Sequence, residues 1–149
     1  MQEVLDREWA EREPKIPLAT PDEALVLASI IEKETALSEE RPLVAGVFLR
    51  RMIKGMLLQT DPTVIYGLGE QYTGDLRRGD LLMDTPYNTY TREGLPPTPI
   101  AMPSLSSIHA ALHPAQGDSL YFVSRGDGTH TFSATLEQHH EAVSKYQKH

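Results

Sequence analysis

The sequence predicts an α+β domain in which several amphipathic helices pack with one small antiparallel hairpin. Three observations lead there. Two capped helical periods occupy the first third, a strand, glycine turn and strand lie near the C-terminus, and a proline-rich stretch separates them. The 149 residues, 40% of them hydrophobic, suffice for one compact domain with its own core.

Residues 2 to 13 read as a lead-in helix with Val4, Leu5 and Trp9 on one side, stopped by Pro14 and Pro17. In "ATPDEAL", Thr20 is the expected N-cap, Pro21 the first helical residue and Glu23 the capping-box partner. Ala24, Leu27, Ala28, Ile31 and Thr35 follow at helical spacing and define one buried face. A second helix fits residues 41 to 55, with Val44, Val47, Phe48 and Met52 on one face and Gly55 as its stop. "MLLQT" is expected to be a short strand, and "DPTVIYGLG" a short helix with Asp61 as N-cap and Pro62 at its first position. The stretch from Thr85 to Pro103 carries Pro86, Pro96, Pro97, Pro99 and Pro103, which favours an ordered functional loop over filler. Ser104 caps a helix reaching His113. "SLYFVSR", "GDG" and "THTFSA" make the hairpin, and residues 135 to 147 close the chain as a helix.

Composition narrows the function. With 14 Lys and Arg against 21 Asp and Glu, a net charge of −7 argues against a nucleic-acid backbone as the main partner, since phosphate binding needs a basic footprint. No cysteine is present, so disulfides, thiolate metal sites and cysteine nucleophiles are excluded. No apolar run approaches the roughly 20 residues of a membrane-spanning helix, and the N-terminus lacks the basic-then-apolar order of a signal peptide. His109 and His113 stand four apart on a helix, a zinc-compatible spacing, but "HAALH" lacks the glutamate of the HExxH pattern and shows no third ligand. His139 and His140 are adjacent and make a poor chelate. No metal or other cofactor is expected. Ser29, Ser104 and Ser107 have no nucleophile-elbow motif around them. "GLGEQYTGD" follows no strand and opens no helix as a phosphate loop would.

The chemistry concentrates on two glutamates of "LASIIEKETALSEER". Side chains three, four and seven residues apart share a helix face, so Glu34 neighbours Ile31, Ile30 and Leu27, whereas Glu32 neighbours Ser29, Ala28 and Leu25. The greasier setting of Glu34 raises its pKa and suits a general acid. A solvated place at the helix border is the ordinary fate of either residue. Tyr66, Tyr72, Tyr87, Tyr90 and Tyr121 add flat faces beside amide and hydroxyl groups, as in "YNTY", a combination that sugars require; core packing accounts for the same residues otherwise.

The motifs "LASIIEKET", "LQTDPTVIYGLG", "TPYNTYTREGLPPTPIAMPS", "HPA" and "LYFVSRGDGTHTFSATLEQH" resemble, in order, the catalytic region of the YceG-like (MltG-type) endolytic murein transglycosylases. On that resemblance residues 17 to 149 form the catalytic domain, after a lead-in helix over 1 to 16. It implies a lyase that cleaves peptidoglycan between N-acetylmuramic acid and N-acetylglucosamine, leaving 1,6-anhydro ends. Glu34 is then the catalytic acid, with Glu32 the alternative, and Gln59, Thr60, Asp61, Tyr87, Asn88 and Tyr90 line the cleft. Asn88 and Gln59 would read acetamido groups or steady oxocarbenium-like charge. The resemblance also implies a membrane anchor and a LysM-like module, and the chain is expected to lack the anchor and most of the module. It further implies a periplasmic, extracytoplasmic place on the inner membrane and peptidoglycan synthases as partners. A catalytically silent glycan-binding module and an inverting muramidase with Asp61 as base are the alternatives.

Overall fold

A computed structural model describes residues 2–147. Helix α1 (Gln2–Ala10) leads to α2 (Pro21–Glu34), α3 (Arg41–Lys54), α4 (Asp61–Leu68), a single 3-10 turn (Gly69–Gln71), α5 (Arg78–Leu82) and α6 (Leu105–Leu112). Strands β1 (Tyr121–Ser124) and β2 (His130–Ser133) then form an antiparallel hairpin, and α7 (Leu136–Tyr146) closes the described chain. This is the α+β architecture expected, with α5 as a short addition inside a segment whose sequence shows no hydrophobic period.

Helix α2 is the central element. Thr20 accepts the Glu23 N–H at its N-terminus, Glu23 in return accepts the Ala19 N–H at 2.6 Å, and Pro21 opens the helix. Its expected face is buried throughout, and Leu27, Ile30 and Ile31 lose all exposure in a core shared with Val44, Phe48, Ile108 and Leu112. Burial of each such side chain contributes about 1.5–3 kcal/mol. Helices α3 and α6 pack on α2, and α1 packs on α2 and α6 through Leu5. Gly55 ends α3 at φ 73°, a left-handed value that glycine adopts without a Cβ clash.

Two local expectations are corrected. "MLLQT" is not a strand: the Arg51 guanidinium takes the Leu57 carbonyl at 2.7 Å, and Gln59 turns to φ 51°, so no ladder can propagate. Asp61 is the first helical residue of α4 and Thr60 the N-cap, a shift of one position that makes Pro62 the second.

The proline-rich loop is ordered by side chains. Asn88 donates to the Leu81 and Met83 carbonyls at 3.0 and 2.8 Å and accepts the Tyr90 N–H at 2.8 Å. The Thr89 hydroxyl accepts the Thr60 N–H at 3.0 Å and contacts the Thr63 hydroxyl at 2.9 Å, which ties the loop to the start of α4. Farther on, the Ile100 N–H donates to buried Ser29 of α2 at 3.0 Å.

Gly67 of α4 faces this loop, and a Cβ there would lie 2.6 Å from the Thr85 hydroxyl and 3.2 Å from the Tyr87 Cβ. The Thr85 hydroxyl cannot turn aside freely, because it accepts the Tyr87 N–H at 3.2 Å. Gly67→Ala should therefore destabilise the fold by about 1–3 kcal/mol, the usual cost of overpacking. Adding Thr85→Ala should recover part of the loss, as read by urea denaturation of the single and double variants.

Candidate active site

A cleft of about 460 Å³ opens between the C-terminal end of α2, the start of α4 and the hairpin with α7. Glu34, Gln59, Asp61 and Tyr90 line one part of it; Arg51, Tyr121, Phe122, His130 and His139 are among those that line the rest. Each candidate reaches the cleft by an identifiable route. Glu34 is the last residue of α2, directly above the Ile30 and Ile31 layer, and Thr35 leaves the helix in an extended conformation. Asp61 stands in the first turn of α4, where a negative charge suits the helix dipole. Tyr90 is delivered by the loop that Asn88 and Thr89 fasten, and its hydroxyl donates to Asp61 at 2.5 Å.

The electrostatics follow from this placement. Burial, reinforced by the Asp61 charge, pushes the Glu34 carboxyl up to about 7, and the neighbouring Thr60 hydroxyl pulls only weakly the other way. The C-terminal end of α2, where the helix dipole is negative, disfavours ionisation in the same sense. Tyr90 is likewise held above its ordinary range, by burial first and then by its bond to Asp61 and the charges of Asp61 and Glu34. Glu34 can thus carry a proton near neutral pH and release it to a base created in the cleft.

Glu32, two residues earlier, has the opposite surroundings. Burial tends to raise its pKa, but the Ser104 N–H, the Ser107 and Ser104 hydroxyls and Arg41 together outweigh burial and hold it below the ordinary value. The Ser104 N–H and Ser107 hydroxyl each donate to it at 2.8 Å, and Arg41 lies 3.5 Å away. It seats on the N-terminus of α6, an anion-favouring place, and does not line the cleft.

Not every expected contact lies in the cleft. Thr60 is buried beneath it, its hydroxyl without a regular hydrogen-bond partner among the described residues. Tyr87 packs at a tilt against Tyr66 with ring centroids 4.8 Å apart, and its hydroxyl pairs with Thr98 at 2.8 Å; neither tyrosine lines the cleft. Asn88 is buried with its amide engaged on both sides, which corrects its expected place as a reader of acetamido groups to that of a loop fastener. Gln59 does line the cleft, on a left-handed backbone that a non-glycine residue adopts at a cost of about 1–2 kcal/mol.

Sequence reasoning singled out Tyr121 but missed the rest of the far wall. Arg51 is buried, donates to the Leu120 carbonyl at 2.6 Å and lies 4.9 Å from the Tyr121 ring centroid. His139 stacks on the other partner of that wall, Tyr121, at 5.0 Å, and burial first, then His140 and Arg51, lower its pKa toward the neutral form. His130 is held by Glu40, which accepts its backbone N–H at 2.8 Å and contacts its Nδ1 at 2.7 Å. Glu40 also accepts the Thr35 hydroxyl at 3.4 Å, so one carboxylate joins the hairpin to the end of α2. A glutamate and a histidine 90 positions apart leave no local signal in the sequence.

The geometry defines a carboxylate site in which one acid is held above its ordinary pKa beside a second carboxylate and opposite aromatic faces. The chain belongs to the YceG-like family, whose profile matches residues 1–145. It is 46% identical over 122 residues to an endolytic murein transglycosylase of Bacillus subtilis, covering 82% of this chain and 34% of that protein. A Streptococcus pneumoniae endolytic murein transglycosylase is 35% identical over 132 residues, covering 85% of this chain and 24% of the relative. The fold also matches a crystal structure of a yceG-like protein from Listeria monocytogenes at TM-score 0.78 and 40% identity, covering 94% of this chain and 43% of that one. The chain thus spans about a quarter to a third of the length of these curated relatives.

The two glutamates should part in stability. Because folding raises the pKa of Glu34 from 4.5 to about 7, the folded state binds more protons between those values, and stability falls as pH rises through that window. Glu34→Gln should remove this penalty and stabilise the fold at pH 8 by about 3 kcal/mol, with little effect at pH 4. Glu32→Gln should instead cost about 1–3 kcal/mol near neutral pH, since the Ser104, Ser107 and Arg41 bonds are to a charged group. Chemical denaturation at both pH values checks the pair.

Proposed function

We propose that the chain is the catalytic region of a lytic transglycosylase that cleaves peptidoglycan glycan strands internally, between N-acetylmuramic acid and N-acetylglucosamine. The observation that carries this reading is Glu34 held up to about 7 in a cleft beside Asp61. The names of the relatives from B. subtilis and S. pneumoniae support the substrate class.

In this mechanism Glu34 protonates the glycosidic oxygen as the bond to C1 breaks. The resulting carboxylate then takes the proton of the muramoyl 6-hydroxyl while that oxygen bonds to C1, closing the 1,6-anhydro ring. Proton count balances within one residue, and no water is consumed. The nucleophile belongs to the sugar being cleaved, so its effective concentration is on the order of 10⁵ M or more. Asp61 raises the proton affinity of Glu34 and stabilises positive charge developing at C1. Tyr90 keeps Asp61 in place. Tyr121 and His139 offer a stacked pair of rings to the apolar faces of a sugar, and Gln59 an amide to its acetamido group. Arg51 and His130 add polar atoms to the same wall.

The family resemblance supports a place of action on the extracytoplasmic face of the inner membrane, alongside peptidoglycan synthases. An inverting muramidase, with Asp61 activating water, is the second reading, favoured by the presence of two carboxylates in one cleft. The Tyr90 hydroxyl already occupying Asp61 argues against it.

Products decide between them. Digestion of purified sacculi should release muropeptides whose new muramoyl ends are one water lighter than hydrolytic ends and resist borohydride reduction, as read by mass spectrometry. Reducible, heavier ends would establish hydrolysis, and intact strands that co-sediment with the protein would establish a binding module. The rate should also fall above pH about 7 as Glu34 loses its proton. Asp61→Asn, by removing the neighbouring charge, should move that fall to lower pH; complete loss at every pH would instead mark Asp61 as a base.

A further inference from the structure

A second cluster of chemically capable side chains lies outside the cleft. On α6, His109 and His113 stack with ring centroids 4.3 Å apart and 24° between their planes. The sequence supplies this pair but no third partner. Folding brings one: Glu8 of α1, whose Oε1 lies 2.8 Å from His109 Nδ1. One donor atom from each of the three residues lies within 4.8 Å of the others. None of them lines the cleft.

The contact between Glu8 and His109 accounts for only two members. His113 makes no side-chain hydrogen bond among the described residues, yet its ring is held in register with His109 at the C-terminal end of α6. We propose that Glu8, His109 and His113 form a site for one divalent transition-metal ion, zinc in particular, that clasps α1 onto α6. Two imidazoles and a carboxylate are a donor set of the right softness for zinc, and three protein ligands leave a fourth position to water. Zinc with ligand distances of about 2.0–2.2 Å requires donors roughly 3.3 Å apart. The His109 side chain is 59% exposed and free to close the remaining gap by rotation, while Glu8, at 15%, is fixed in place by packing.

Two consequences follow. Zinc bound to the folded chain but not to the unfolded one raises stability with concentration. Metal binding releases protons from its ligands, so the effect should weaken in acid. The site is independent of the glycan chemistry, and neither activity nor its loss bears on it.

Calorimetric titration of the whole chain with zinc chloride at pH 7.5, paired with thermal unfolding, tests the proposal. One zinc per chain and a melting temperature raised by several degrees at 100 μM zinc are expected. His113→Ala is the decisive variant, because it keeps the Glu8–His109 pair while removing a ligand; its zinc affinity should fall at least tenfold and the thermal shift should disappear. His140→Ala, an exposed histidine of α7, should bind as the parent does. If His113→Ala does not fold, Glu8→Gln carries the same expectation of a tenfold loss. No zinc binding by the parent chain, or an undiminished response in these variants, would overturn the proposal and leave a Glu8–His109 hydrogen bond beside a stacked histidine.

Discussion

The desolvation of one carboxylate, Glu34, is the constraint on which the site depends. The chain ends its central helix, α2, on an acid, sets that acid over Ile30 and Ile31, and places Asp61 across from it. An isolated acid in such a place loses its charge rather than being accommodated, and the shift is what makes it a proton donor near neutral pH. The threonines at 60, 63 and 89 hold α4 and the loop together, and so fix where Asp61 and Tyr90 stand relative to α2. The hairpin completes the wall through Glu40, which holds Thr35 and His130 at once. The surrounding fold supplies the free energy for a residue that is itself destabilising when ionised.

Glu32 and Glu34 show how two residues of one type, two positions apart, acquire opposite properties. A two-residue step turns the helix by about 200°, so the pair points to nearly opposite sides. Glu32 meets the free N–H groups and hydroxyls at the start of α6, where a charge is favoured. Glu34 meets isoleucines and another carboxylate. The first joins two helices; the second is left with a proton it can give away.

Much of this was legible in the sequence because it is encoded locally. The Thr20 cap, the Pro21 start, the buried face of α2 and the Gly55 stop are short-range devices, and the structure shows each. The hydrophobic neighbours of Glu34 were readable for the same reason. What escaped depends on tertiary placement. Period alone could not reveal that Arg51 would take the Leu57 carbonyl and prevent a strand, that Asn88 would spend its whole amide on the loop, or that His130 would meet Glu40. Glu8 as neighbour of His109 is a contact of the same long-range kind.

The central claim is that Glu34 keeps its proton to near neutral pH in the free protein. Carbon-detected NMR titration of the side-chain carboxyl groups, with Glu34 assigned by comparison with Glu34→Gln, measures this without substrate. The account predicts a midpoint near 7 for Glu34 and one below 4.5 for Glu32. A Glu34 midpoint at the ordinary glutamate value of about 4.3 would contradict it.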